Sequence, residues 1–264
     1  MNHFRAAHRV LAELGIVEPG EIDIEAIAYH LGAIVRYKDL QGCAARILGT
    51  NDTAIITVDQ RAPRGRQRFS AAHEVGHWMH DRNTGRFQCT AHQFVNDWGR
   101  DNPERRANQY AAQLLLPGTM LRPVIDGKPV AFTTVSEVAD AFETSLTAAA
   151  IRTVEMNPRA AMIVCTERYR RRWFVASNDV PRWLWPRDAP ANDSVAHDLF
   201  NTRTKNGAAD VIVGAWFDHA DADRYELHED ARRIGDHVLS ILSWPNEDHL
   251  VALMDGRIYI PFRK

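Results

Sequence analysis

Apolar residues recur every three to four positions over residues 4–14 and again over 22–31, the spacing of one face of an amphipathic helix. Pro19-Gly20 opens the second of these helices and Gly32 closes it. The pattern then changes to short apolar runs at 33–37, 44–48 and 53–58, with Gly49-Thr50-Asn51-Asp52 as the turn between the last two. Such runs predict a small sheet. Helical spacing returns over 68–80, where Ala72, Val75, Trp78 and Met79 form an apolar stripe and His73, His77 and His80 share the opposite, polar face. Another helix begins with Asn102 as cap and Pro103 in its first turn, and stops at Pro117-Gly118. Residues 120–128 read as a turn-rich link, and 134–142 with 145–152 as a helix pair separated by Glu143-Thr144.

The character changes at Met156-Asn157-Pro158. Strands are expected at 160–166 and 172–177, joined by a charged turn, and at 210–217, 238–244 and 250–261, with a helix at 194–203. The expected fold class is therefore α+β. A helical domain with a small β-sheet occupies 1–128, a helix-turn-helix-like pair 129–158, and a smaller α+β domain 159–264. Five of the seven Trp fall in the last part, which fits aromatic core packing first and the lining of a ligand cavity second.

Composition narrows the function classes. At 45% hydrophobic and 25% charged residues the chain is an ordinary globular one, and a net charge of −2 argues against an electrostatically driven nucleic-acid binder. Cys43, Cys89 and Cys165 are odd in number and lack metal or disulfide spacing. No run of about 18 apolar residues marks a membrane span, and a cytoplasmic protein is expected. The arginines at 61, 64, 66 and 68, and the basic stretch 168–172, read as solvated connections. The helix pair at 134–152 offers few polar base readers, so a packing role is expected there.

The chemistry-bearing stretch is His73-Glu74-Val75-Gly76-His77. On a helix the four-residue spacing stacks the two imidazoles one turn apart, where they can share a metal, with Glu74 beside it as a proton acceptor. A catalytic metal of this kind needs a third protein ligand. The metzincin continuation would place Gly and His three and six residues further on, where this chain has His80 and Asn83. Glu104, in the first turn of its helix, is one candidate, and by position alone it is equally a first-turn acid that favours the helix dipole. His80 and His92 are the other candidates. Asn108, four residues after Glu104, faces the same way and can orient a liganding imidazole.

Arg68-Phe69-Ser70-x-Ala72-His73-Glu74-Val75-Gly76-His77, followed by Glu104-x-x-Ala107-Asn108-x-Tyr110-Ala111-x-x-Leu114-Leu115-x-Pro117, resembles the ImmA/IrrE family of zinc metallopeptidases, over roughly residues 1–155. The resemblance implies a zincin-like domain in which His73, His77 and Glu104 bind Zn2+ and Glu74 is the general base. His80 and Tyr110 are candidate transition-state stabilisers by residue type. It also implies a protein substrate, commonly a helix-turn-helix repressor whose cleavage switches on stress or mobile-element genes. Some relatives append a GAF-like sensory domain, which would make the C-terminal part the receptor for a small-molecule effector. The competing reading is a non-catalytic regulator with a structural metal that sequesters a repressor or binds DNA. Glu74 argues against it, because a structural site needs no base.

Overall fold

The computed structural model describes residues 5–50, 52–82, 102–219 and 221–258. Residues 83–101 between the two helices of the motif, with Cys89 and His92, lie outside the described residues, as does 259–261 of the last expected strand. The chain divides into two compact units, Met1–Asp126 with Glu137–Ala149, and Gly127–Ser136 with Ala150–Lys264.

The first unit opens with α1 (Ala7–Glu13) and α2 (Ile24–His30). Asp23 caps α2 by accepting from the Ala26 amide at 3.0 Å, and Gly32, at φ +85°, turns the chain into the sheet. β1 (Ala33–Lys38), β2 (Ala45–Gly49) and β3 (Ala54–Asp59) form a sheet in the order β1-β3-β2, with β1 parallel and β2 antiparallel to β3. Ala45, Ile47, Ala54, Ile56 and Val58 are buried on one face, against α3 (Arg64–Asp81). Trp78 of α3 is fully buried there, its indole N–H donating to the Leu31 carbonyl at 2.8 Å. α4 (Pro103–Leu115) starts where expected, with the Asn102 side chain accepting from the Glu104 amide.

The stretch after α4 departs from expectation. Residues 118–125 form α5 (Gly118–Ile125) where a turn-rich link was read. Leu121 and Ile125 are buried at helical spacing, and Pro123 alone suggested a break. The helix pair is present as α6 (Phe132–Ala141) and α7 (Leu146–Met156).

The second unit is a five-stranded antiparallel sheet with α8 (Val195–Asn201) and α9 (Glu247–Ile258). Its strands, β4 (Ala161–Glu167), β5 (Arg170–Ala176), β6 (Asn206–Ile212), β7 (Glu226–Ile234) and β8 (His237–Ser243), lie in the order β5-β4-β8-β7-β6. The core includes Val164, Trp216, Phe217, Leu242 and Trp244, so two of the tryptophans are core residues, whereas Trp185 is 52% exposed.

Three expectations are corrected here. The segment 210–217 leaves the sheet after Ile212 for a 3₁₀ turn, Val213–Ala215. Residues 250–258 are helical, not extended. Leu250 and Leu253 point inward while Val251 and Met254 are 50% and 40% exposed, a helical period that the run of apolar residues hid. Strand β7 was not expected at all, because its inward positions read Leu227, Glu229, Ala231, with a carboxylate where the pattern requires an apolar residue.

Glu229 is fully buried and holds α8 in place. Its carboxylate accepts from the first two amides of that helix, Val195 and Ala196, from the Trp216 indole and from the Ser240 hydroxyl, all at 2.8–3.0 Å. Burial holds the carboxyl above its ordinary range, against the partial lowering by the four donors, which only an acceptor on both oxygens satisfies. Glu229→Gln sets an amide N–H₂ against two of those donors. It should destabilise this unit by about 3 kcal/mol in urea unfolding, and a loss below about 1 kcal/mol would contradict this account of β7.

Candidate metal centre

α3 and α4 pack more closely than side chains normally allow. A Cβ at Gly76 would lie 2.8 Å from the Ala107 Cα and 2.9 Å from its carbonyl oxygen, so the fourth position of the motif must be glycine for α4 to come this near. Near its start α3 is held again. A Cβ on Gly65 would stand 2.7 Å from the backbone of Thr144, and the buried Arg68 reaches Glu143 at 3.5 Å. Glu143 itself adopts φ +48° in the turn between α6 and α7.

Across the Gly76 contact the polar faces of the two helices meet. His73 Nε2 and His77 Nε2 are 3.1 Å apart, and the Glu104 carboxylate reaches them at 3.2 and 3.3 Å. The opposite ring nitrogens are engaged elsewhere. His73 Nδ1 is 2.8 Å from Asn108 Oδ1, and His77 Nδ1 is 3.1 Å from Asp81 Oδ2. Both partners are acceptors, so each Nδ1 carries the hydrogen and each Nε2 presents a lone pair to the other and to the carboxylate. Three lone-pair atoms so placed repel one another unless they share a cation. A proton serves one pair of them, whereas a metal serves all three. The two imidazoles meet different oxygens of the carboxylate, Oε2 for His73 and Oε1 for His77, and one ligand atom from each of the three residues lies within 4.8 Å of the other two, close enough to share one metal ion. Among the described residues His73, His77 and Glu104 are the group of metal-binding side chains that converge.

Asp81 was missed in the sequence. It lies one turn after His77, accepts from that imidazole and receives Arg106 of α4 at 3.2 Å, a carboxylate–histidine arrangement that sets the ring's tautomer. The signal was the spacing His77 to Asp81, four residues on a helix, but an acid at a helix end carries no distinctive pattern. Of the other expected residues, Tyr110 is buried and donates its hydroxyl to the Arg5 carbonyl at 3.0 Å, and burial pushes its phenol up. His80 stacks edge-on against the Tyr110 ring, with burial holding its imidazolium below the ordinary range.

Glu74 is buried beside this cluster, and its Oε2 has no hydrogen-bond partner among the described residues. Burial raises its carboxyl to about 7, against the attraction of His73.

Residues 28–153 match the peptidase M78 family model, described as an IrrE N-terminal-like domain. The chain carries an IrrE-type domain. The family, of the ImmA/IrrE type, is one of metallopeptidases, in agreement with the metal-compatible donor set of α3 and α4. No curated protein matches the sequence. A solved structure described as a Mycobacterium tuberculosis transcriptional regulator is similar, at a TM-score of 0.64 and 12% identity, over 96% of this chain and 79% of that one. At that identity the similarity is one of fold. No helix among the described residues is long and apolar enough to cross a membrane.

Two outcomes follow for the IrrE-like domain. Asp81→Ala and Asn108→Ala should each weaken divalent-metal binding by roughly 10–100-fold while leaving one site per chain. Isothermal titration distinguishes this from no change, which would detach these residues from the site. Burial lowers the His73 imidazolium, but the Glu104 hydrogen bond and the Glu74 and Glu104 charges outweigh it and leave it above the ordinary value. Metal must displace that proton, so affinity should fall by about tenfold per pH unit on acidification below neutrality; a flat profile from pH 8 to 6 would contradict it.

Proposed function

We propose that the IrrE-like domain is a zinc-dependent endopeptidase, with His73, His77 and Glu104 holding the metal and Glu74 moving the proton. The observation that carries this reading is the Glu74 carboxylate itself, buried, without a hydrogen bond on Oε2, and beside three converging lone-pair atoms. A purely structural site has no use for such a group, and an unsatisfied buried carboxylate is costly to keep.

A bound zinc supplies a Lewis acid that acidifies water and polarises the scissile carbonyl. The chain does the rest. Glu74 accepts a proton from water as the water oxygen bonds to the peptide carbon, then delivers it to the departing amine nitrogen as the C–N bond breaks. Burial, which holds the Glu74 carboxyl up at about 7 in the metal-free chain, favours its taking a proton. Asn108, and Asp81 steadied by Arg106, keep the imidazoles turned with Nε2 toward the reacting centre. For the developing oxyanion the two candidates, His80 and Tyr110, pack edge-on against each other, with the Tyr110 hydroxyl donating to the Arg5 carbonyl.

The substrate we propose is one specific protein, a helix-turn-helix repressor of stress or mobile-element genes, cut in the cytoplasm. The label of the similar solved structure as a transcriptional regulator is compatible with this setting. The second unit we read as a GAF-like sensory module that takes a small-molecule effector. Its antiparallel sheet, β5-β4-β8-β7-β6, with α8 is the framework that supports the reading. The alternative, DNA binding through residues 134–152 without catalysis, is disfavoured by α7, where Ala149, Ala150, Thr153 and Val154 are buried and Arg152 pairs with Glu155.

Incubated with repressors encoded beside its gene, the zinc-loaded chain should make one discrete cut. Glu74→Gln should retain one zinc per chain and lose cleavage by about a thousandfold or more, whereas Glu104→Ala should lose the metal as well. Cleavage by Glu74→Gln at the wild-type rate, or tight zinc binding by Glu104→Ala, would overturn the assignment.

A further inference from the structure

The three-stranded sheet has two faces, and only one of them is used by the metal site. β1, β2 and β3 alternate, so the residues opposite the α3 face are Ile34, Arg36 and Lys38 on β1, Arg46 and Leu48 on β2, and Ile55, Thr57 and Asp59 on β3. Solvent-facing positions of a half-covered sheet are ordinarily polar. Here Ile34 is 47% and Leu48 65% exposed. They are not scattered. Ile34 and Leu48 both pair in register with Ile55, which makes one continuous aliphatic row across all three strands. Two residues further along each strand, Arg36 and Arg46 both pair with Thr57 and form a cationic row beside the aliphatic one. Thr57, between the two arginines on the outer face, is only 8% exposed. No ion pair ties up Arg36, Arg46 or Lys38 among the described residues, whereas Asp59, the acid on this face, is engaged by Arg61 at 3.0 Å.

We propose that this outer sheet face is a docking surface for an acidic, aliphatic-rich segment of a protein partner, a recognition site separate from the metal centre on the other side of the sheet. The two rows define the partner's chemistry. An aliphatic row left in water is an interaction site once it is contiguous, and a neighbouring row of unpaired cations selects carboxylates over other polar groups. A nucleic acid would satisfy the cations but leave the aliphatic row without a ring to stack on its bases, since the one aromatic residue of these strands, Tyr37, lies on the inner face and donates to Glu25. The proposal does not rest on the peptidase reading, because neither row includes a residue of the metal site.

The test uses the full chain with ¹³C-methyl labels on Ile and Leu, and three probes: a peptide of alternating Glu and Leu or Ile, the same peptide with Lys in place of Glu, and a short DNA duplex. The acidic peptide should shift the methyls of Ile34, Leu48 and Ile55 saturably and bind about tenfold more weakly when the salt is raised past the screening range. R36E with R46E should abolish that binding, and L48Q should weaken it with the arginines intact. Both sets of substitutions are at exposed strand positions, and an unchanged thermal unfolding midpoint separates them from misfolding. Equal shifts with the Lys peptide, the same shifts with DNA, concentration-dependent self-association through these methyls, or no shifts at all would each overturn the proposal. Binding of the acidic peptide by Glu74→Gln as tightly as by wild type is expected, so failure here and failure of the catalytic assignment are read separately.

Discussion

The close approach of α3 and α4 at Gly76 is the constraint on which the site depends. With backbone of Ala107 standing where a Cβ would be, the two helices meet at a distance that lets a first-turn glutamate of one reach two histidines of the other. A helix of this length is rigid, so the spacing His73 to His77 places the imidazoles, but nothing within α3 places the third donor. That is decided by the interhelical distance, and therefore by the absence of a side chain at one position. The contact of Gly65 with the turn before α7 and the pairing of buried Arg68 with Glu143 hold the same helix a second time near its start. Trp78 holds it to the sheet side through the Leu31 carbonyl.

Two buried glutamates show how differently one side chain is used. Glu229 has both oxygens saturated by four donors and binds a helix start to a sheet. Glu74 is equally hidden from water and has an oxygen with no hydrogen bond among the described residues. The first arrangement offsets part of the cost of burying a charge through hydrogen bonds; the second has no such offset on Oε2, and burial raises both carboxyls. Local hydrogen bonding, more than burial, distinguishes the anchoring acid from the one proposed to move a proton.

Much of the first unit was legible in the sequence, because its elements obey one period each and carry explicit stops. Gly32, Asn102 and Pro103 mark helix ends that the structure places within two residues, whereas Pro19-Gly20, read as the opening of the second helix, forms a separate 3₁₀ turn ahead of α2. The pairing of Glu104 and Asn108 with the histidines rested on the family resemblance, since spacing along α4 says which way they face and not what they face. Asp81 was unreadable for the same reason, being an ordinary acid until Arg106 is brought to it from the other helix. In the second unit the failures were of pattern. Glu229 at an inward position concealed β7, and an apolar run with helical burial at Leu250 and Leu253 concealed α9. The outer face of the three-stranded sheet was invisible for yet another reason: Ile34, Ile55 and Leu48 become a row only when the register of three strands is known.

The central claim is that two imidazoles, each fixed by an acceptor on Nδ1, turn their Nε2 lone pairs together with Glu104 onto one cation. Imidazole ¹⁵N resonances followed while zinc is titrated into the metal-free chain test it most directly. The account predicts that a single equivalent moves Nε2 of His73 and His77 to metal-bound shifts while both Nδ1 atoms keep their protons. Coordination through Nδ1, or movement of His80 in place of either histidine, would contradict it.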